Sequence, residues 1–276
     1  MPEDRSAWLV PAAGTISGAC QVVSEQPLDT IKTRLQSSRY TQHAGPLQLA
    51  RATVQAEGAG ALLRGVAPRL LTYPFVKLSL FSLYERCFSA TGSTAASGAF
   101  AGVTNTVISC PADVIKSQLQ VERFAGSGGL PTTARRGAAL VVNLVRNHGI
   151  AVLYRGLGPL IVRDGCGYSI LYTVYFGGQE ARRRYAWSQA VPGWALGGLA
   201  GTCFYAATLP IDRIKVMMQT QPGGAPASLR RCVESLRQHG VVAFYRGAGP
   251  TFVRTFVGQA VGLSVYDLIT SYARAG

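Results

Sequence analysis

The 276-residue sequence predicts an all-α membrane protein assembled from three copies of one helical unit. A charged element recurs three times in the same order, and a long apolar or small-residue run stands on both sides of each copy. Charged residues make up only 14% of the chain, against about 25% in an average soluble domain.

The recurring element is Pro27-x-Asp29-x-x-Lys32-x-x-x-Gln36, which returns as Pro111-x-Asp113-x-x-Lys116-x-x-x-Gln120 and as Pro210-x-Asp212-x-x-Lys215-x-x-x-Gln219. At about 100° per residue, the carboxylate, ammonium and carboxamide of each copy fall within roughly 60° of one another on a helix. A proline inside a helix removes a backbone hydrogen bond, so each helix is expected to bend just before its charged end.

The runs that precede these prolines cover 7–23, 95–110 and 194–209. Carried on through the motifs, they predict helices of about 25–30 residues, where a hydrocarbon core of about 30 Å needs about 20. The runs 70–83, 157–176 and 248–269 are rich in Leu, Val and aromatics and complete six candidate spans. Small-residue elements end at Gly18, Gly102 and Gly201, each nine residues before the motif proline. Such residues let helices approach closely in lipid, where apolar side chains gain little by leaving their surroundings.

After each motif come a polar loop, a short amphipathic stretch and an Arg-Gly pair. The stretches cover about 45–56, 132–147 and 227–239, ahead of Arg64-Gly65, Arg155-Gly156 and Arg246-Gly247, pairs spaced 91 residues apart both times. Repeats at 1–92, 93–187 and 188–276 therefore form a single domain, with little chain at either end for another. Gly126 to Gly129 lengthens the second loop and accounts for the unequal motif spacing.

The formal net charge is +14, but no run of five or more basic residues occurs. Contact with anionic lipid headgroups fits this spread better than nucleic acid. Cys20, Cys87, Cys110, Cys166, Cys203 and Cys232 show neither a C-x-x-C pair nor zinc spacing and read as reduced, small apolar residues. The acidic, polar start of the chain shows no cleavable signal. His43, His148 and His239 sit in predicted loops or surface helices. With no nucleophile elbow, nucleotide loop or metal-spaced cluster, an enzyme, a metal site and a cofactor are not expected.

Three Pro-x-Asp-x-x-Lys motifs in register with the glycine element and an aromatic-Arg-Gly together resemble the mitochondrial carrier family over essentially the whole chain. Leu63 departs from the pattern where the first aromatic should stand, and His148 and His239 replace the acid that Glu57 supplies. The resemblance implies six transmembrane helices in a threefold pseudosymmetric barrel with three short matrix-side surface helices. It implies a metabolite passed across the mitochondrial inner membrane by alternating access. Because one chain can build the cavity and both gates, a functional monomer is expected, and its basic charge suits anionic lipid such as cardiolipin.

The resemblance further implies a matrix gate in which Asp29 pairs with Lys116, Asp113 with Lys215 and Asp212 with Lys32, braced by Gln36, Gln120 and Gln219. Static ion pairs at helix ends are the plainer alternative. At the opposite end, Tyr84-Glu85 is followed by Phe88 and Tyr266-Asp267 by Thr270, while the fourth helix has Phe176-Gly177 and no acid. Closure there is expected to rest on tyrosines and apolar packing.

Family substrate contacts seven residues after each Arg-Gly glycine would fall on Thr72, Arg163 and Arg254, and Arg163-Asp164 resembles the pair in carriers of amino acids and carnitine esters. Arg254 offers a fork for a carboxylate, and Asp164 can neutralise an amino or quaternary ammonium group. Glu25 lies one turn before Asp29 on the same face. Left unpaired it favours a cationic or zwitterionic substrate, although Lys77 could salt-bridge it. Gln259 is a further polar contact, and Tyr73, Tyr168, Tyr172 and Tyr205 are candidates for cation-π contact or for ordinary packing. Basic or zwitterionic amino acids, or carnitine and its esters, are the expected cargo; an oxodicarboxylate carrier and a proton or anion leak are the alternatives.

Overall fold

The computed structural model describes residues 3–37, 45–122, 130–184, 193–221 and 228–275. These residues form α1 (Glu3–Gln36), α2 (Pro46–Glu57), α3 (Val66–Thr91), α4 (Thr94–Val121), α5 (Leu130–His148), α6 (Leu157–Arg184), α7 (Gly193–Gln219), α8 (Leu229–Gln238) and α9 (Ala248–Ala275), with no strand among them. The first helix is longer than its apolar run suggests, at 34 residues.

Local signals account for the boundaries. Pro46 opens α2 at a position whose N–H would have no helical partner. Gly92 ends α3 in the left-handed conformation, φ 65°, and Ser93 then caps α4 by accepting from the Ala96 N–H at 3.3 Å. Before each Arg-Gly pair the chain makes a 3-10 turn that the sequence does not announce, at Ala59–Leu63, Ile150–Tyr154 and Val241–Tyr245. Gly65, Gly156 and Gly247 then take φ of 80°, 79° and 95°, turning the chain from the surface helix into the next long helix.

The six long helices touch in a closed ring in chain order, from α1 through α3, α4, α6 and α7 to α9 and back to α1. Pro27, Pro111 and Pro210 lie inside α1, α4 and α7, and Pro74 lies inside α3. The short α2, α5 and α8 pack against α1, α4 and α7 respectively. Glycines set the closest approaches. A Cβ added at Gly98 would lie 2.6 Å from the Tyr168 carbonyl oxygen, and one at Gly102 only 2.4 Å from that of Asp164, so α4 and α6 meet nearly backbone to backbone.

The ring is apolar outside and charged inside. Leu71, Phe75 and Leu78 on α3, Phe100 and Val107 on α4, and Val253 and Phe256 on α9 are exposed, while Glu25, Asp29, Lys32, Asp164, Asp212 and Arg254 are buried. Among the described residues no helix is long and apolar enough to cross a membrane. The six expected runs are helices, but each divides its length between an outer apolar face and an inner polar one, so no single helix averages to a membrane span.

Below the cavity, each odd long helix is tied to the next by a side chain that caps backbone carbonyls left open at a helix end. Arg34 Nε donates to Gln120 O at 2.8 Å, Gln118 Nε2 to Gln219 O at 2.6 Å, and Arg213 Nη1 to Leu35 O at 2.9 Å. Arg34 also donates from Nη1 to Glu57 Oε1 at 2.6 Å and from Nη2 to Oε2 at 3.1 Å, and Arg64 pairs with the same carboxylate. Burial pushes the Glu57 carboxyl up, but these two guanidinium groups outweigh it and hold it below its ordinary 4.5. A lowered folded value stabilises fully above the ordinary carboxylate range and is lost as pH falls through the folded value. Glu57→Gln should therefore cost about 3 kcal/mol near neutral pH, because Arg34 stays fully buried without its counter-charge. The difference in unfolding midpoint between the two proteins should shrink on acidification, and a pH-independent difference would contradict this account.

At the end of the barrel away from the motifs, aromatic rings pack between α3 and α6. Tyr84 stacks on Tyr172 with centroids 4.2 Å apart and on Phe176 at 5.5 Å, over Ala101 of α4. The side chains of Tyr266, Asp267 and Thr270 lie outside the described residues.

Candidate functional site

The inner faces of the ring enclose a cavity of about 250 Å³. Glu25, Thr72, Lys77, Arg163, Asp164 and Arg254 all line it, as do Asp29, Lys32, Asp113, Lys116, Asp212 and Lys215. The side chain of Gln259 lies outside the described residues. Tyr73, Tyr168 and Tyr205 also face the cavity, whereas Tyr172 belongs to the aromatic tier.

Three ion pairs close the motif end. Lys116 Nζ lies 2.5 Å from Asp29 Oδ2, Lys215 Nζ 2.8 Å from Asp113 Oδ2, and Lys32 Nζ 2.6 Å from Asp212 Oδ2. Each joins helices that are remote in the chain, because the motif turns its Asp and Lys to opposite edges of the inner face and the ring brings the next copy alongside. The pairs are not equivalent. Asp212 also takes Arg163 Nη1 at 3.0 Å, and Asp29 takes Gln120 Nε2 at 2.9 Å, whereas the Asp113 side chain remains 29% exposed and has Lys215 alone as a salt-bridge partner among the described residues.

The glutamines depart from the expected threefold brace. Gln120 alone reaches a ring carboxylate; Gln219 Oε1 accepts from Ser117 Oγ at 3.0 Å, and the buried Gln36 carboxamide has no hydrogen-bond partner among the described residues. What the three share is packing. A Cβ on Gly65, Gly156 or Gly247 would lie 3.3 Å from the Cγ of Gln120, Gln219 or Gln36, so each glutamine stem fills the space under a left-handed glycine. The motif spacing placed the side chains on the right face, but which atoms they reach depends on fractions of an ångström between helices.

The two walls above the ring differ in chemistry. On α6, Arg163 donates from Nε to Asp164 Oδ1 at 2.8 Å, while Asp164 Oδ2 accepts from Thr106 Oγ1 at 3.1 Å. On the side of α1, α3 and α9, Glu25 is not unpaired, and its partner is not Lys77. Its Oε2 takes Arg69 Nη2 at 2.6 Å and Arg254 Nη1 at 2.8 Å, and its Oε1 takes Gln21 Nε2 at 2.9 Å. Lys77 Nζ instead sits 5.5 Å from the Tyr73 ring centroid, with no carboxylate partner among the described residues. Arg254 further donates to the Tyr205 hydroxyl, and its Nε is 3.6 Å from Asp29 Oδ1. Thr72 gives its hydroxyl proton to the Pro68 carbonyl of its own helix at 2.9 Å.

Arg69 is the residue that sequence reasoning missed. It stands one turn before Thr72 on the same face, where the other repeats carry Leu160 and Thr251, and a lone base at that register was the available signal. With Arg69 counted, Glu25, Asp29, Asp113, Asp164 and Asp212 face Lys32, Arg69, Lys77, Lys116, Arg163, Lys215 and Arg254, so the wall carries more basic than acidic groups. Among the described residues no three His, Cys, Asp or Glu side chains gather as metal ligands. Such a lining can bind and release a small ionic molecule.

The family described as mitochondrial carrier protein matches residues 3–93, 89–181 and 186–275, one match for each repeat. The chain belongs to the mitochondrial carrier family. As a member it is a transporter of small-molecule metabolites and not an enzyme. Among its relatives, protein dif-1 of Caenorhabditis elegans is 32% identical over 90% of this chain and 86% of its own length. A mitochondrial carnitine/acylcarnitine carrier-like protein of Arabidopsis thaliana is 27% identical over 96% and 98%. The mitochondrial basic amino acids transporter of Bos taurus is 28% identical over 95% and 91%. This mitochondrial carrier thus aligns nearly end to end with relatives whose names give different cargoes.

Proposed function

We propose that this carrier moves a carboxylate-bearing metabolite across the mitochondrial inner membrane by alternating access, with basic or zwitterionic amino acids, or carnitine and its esters, as its cargo. The observation that carries this reading is the Arg163–Asp164 pair facing Arg254 across one small cavity, which offers a guanidinium fork and a carboxylate to the two ends of a zwitterion. The printed cargoes of the bovine and plant relatives are compatible with it. Membrane insertion is supported by the exposed apolar outer faces and the buried charges, an arrangement stable only where the outside is lipid. The three ion pairs act as the matrix-side gate, since buried pairs that exchange partners or become hydrated can open and close at modest net cost. Anionic lipid such as cardiolipin suits the formal net charge of +14, and one chain supplies the cavity and both of its ends.

A second reading, an oxodicarboxylate carrier, is favoured by Lys77, the cavity cation with no carboxylate partner among the described residues. Proteoliposomes separate the two. Internal lysine, arginine, ornithine or carnitine should drive uptake of the same labelled compound, and Asp164→Asn should weaken that uptake about tenfold, the effect of about 1.4 kcal/mol. Robust diacid exchange together with silence across that panel would establish the second reading in place of the first. Proton conductance without counter-substrate would indicate a leak.

A further inference from the structure

The geometry points to Glu25 as an internal stand-in for the substrate's carboxylate, seated in the Arg69–Arg254 guanidinium pair and displaced when substrate arrives. This rests on the transport reading above and deepens it, because it makes a cationic group on the substrate a requirement.

The seating is incomplete in a way that suits exchange. One oxygen, Glu25 Oε2, serves both Arg69 Nη2 at 2.6 Å and Arg254 Nη1 at 2.8 Å, while Oε1 is held by Gln21. Arg69 Nη1 is buried with no hydrogen-bond partner among the described residues, a donor that the present occupant leaves unmatched. A free carboxylate with two unencumbered oxygens can take a fork from each guanidinium, which Glu25, tethered to α1, does not. Room for Glu25 in this seat exists because Gly258 has no side chain: a Cβ there would lie 1.9 Å from Glu25 Oε1.

Displacement has a consequence for selectivity. A substrate that supplied only a carboxylate would expel Glu25 and leave it as a buried, uncompensated anion, which is costly. A zwitterion supplies both partners at once, its carboxylate to the two arginines and its ammonium to Glu25, so ion pairs are exchanged without stranding a charge. Glu25 is then a specificity-determining residue, and Arg69 a second carboxylate contact beside Arg254.

The test uses exchange in proteoliposomes with pairs of probes of which the second member carries a carboxylate and no cationic group: lysine against hexanoate, glycine against acetate, and carnitine against 3-hydroxybutyrate. For the pair that the wild type transports, the cationic member should be preferred by about tenfold or more in kcat/KM, and Glu25→Gln should reduce that ratio to about unity while uptake of the carboxylate-only member persists or rises. Glu25→Asp, which keeps the charge, should retain the preference. Arg69→Gln should raise KM for both members alike and leave the ratio unchanged. Should Glu25→Gln not fold, these two variants carry the test. A preference that survives in Glu25→Gln, or a wild type that favours the carboxylate-only member, overturns the inference and leaves transport standing. No uptake by the wild type of these probes or of other carboxylates would instead remove the transport reading itself.

Discussion

Asp212→Ala is expected to abolish exchange and to destabilise the protein more than the matching change at Asp113. The Asp212 carboxylate receives Lys32 Nζ at 2.6 Å and Arg163 Nη1 at 3.0 Å, and its side chain is only 2% exposed. Removing it leaves Lys32 without a salt-bridge partner among the described residues, in a confined space. Arg163 keeps Asp164, whereas Lys32 keeps the Tyr205 ring, with its centroid 5.0 Å away. Breaking a buried pair in this way costs about 3–5 kcal/mol, and for a chain of this size that lowers the unfolding midpoint by roughly 10 °C. A loss of about 3 kcal/mol at a step that must reform the pair slows exchange on the order of a hundredfold. Asp113→Ala is the control: among the described residues that carboxylate has Lys215 alone as a salt-bridge partner, and it is part exposed, so the loss should be well under half as large. Thermal unfolding of the two purified variants in detergent, with exchange measured in parallel, checks the order. Equal effects would mean that the ring is symmetric in energy although not in geometry.

Gly102→Val is expected to disrupt the protein most among neutral substitutions. A Cβ at Gly102 would fall 2.4 Å from the Asp164 carbonyl oxygen and 2.8 Å from its carbonyl carbon, so the obstacle is helix backbone and no rotamer can relieve it. Overpacking against movable side chains costs typically about 1–3 kcal/mol, and a collision with backbone should reach or pass the upper end of that range. Separating α4 from α6 also moves Asp164 away from Thr106 Oγ1, now 3.1 Å away, and with it the Arg163–Asp164 pair. Expression, monodispersity and unfolding midpoint should all fall, and transport should be lost even in the fraction that folds. Gly14→Ala makes the comparison, since a Cβ there meets nothing within 4 Å; it should be close to neutral. A Gly102→Val protein as stable as the Gly14→Ala protein would show that the two helices are free to slide apart.

Much of the architecture was legible in the chain because the physics that sets it is local. The spacing of Asp29, Lys32 and Gln36 puts three polar groups on one helix face whatever lies opposite, and its recurrence defines three units. The surface helices expected at 45–56, 132–147 and 227–239 form at Pro46–Glu57, Leu130–His148 and Leu229–Gln238, within the usual uncertainty of helix ends. The 3-10 turns were not legible, for they depend on how each surface helix docks before its Arg-Gly pair.

The candidate site was legible as a set of residues and not as a set of contacts. Counting from the Arg-Gly pairs leads to Thr72, Arg163 and Arg254, which share one cavity, but does not show that the Thr72 hydroxyl proton goes to its own helix. Glu25 meets Arg69 and Arg254 and not Lys77, because the partner of a carboxylate on α1 is set by how α3 and α9 pack against it. Gln36, Gln120 and Gln219 occupy equivalent places in the sequence, yet Gln120 reaches Asp29, Gln219 accepts from Ser117, and the Gln36 carboxamide has no hydrogen-bond partner among the described residues.

By itself, then, the sequence determined the helical class, the threefold repeat and the family, since each rests on periodicity and spacing within a few tens of residues. Only the tertiary structure decided which charges meet. Glu25 and Arg254 stand 229 positions apart, and Lys116 and Asp29 lie in different repeats. An ion pair is fixed by ångström-scale distance in a medium of low polarity, so its partners are chosen when the ring closes and not when the helices form.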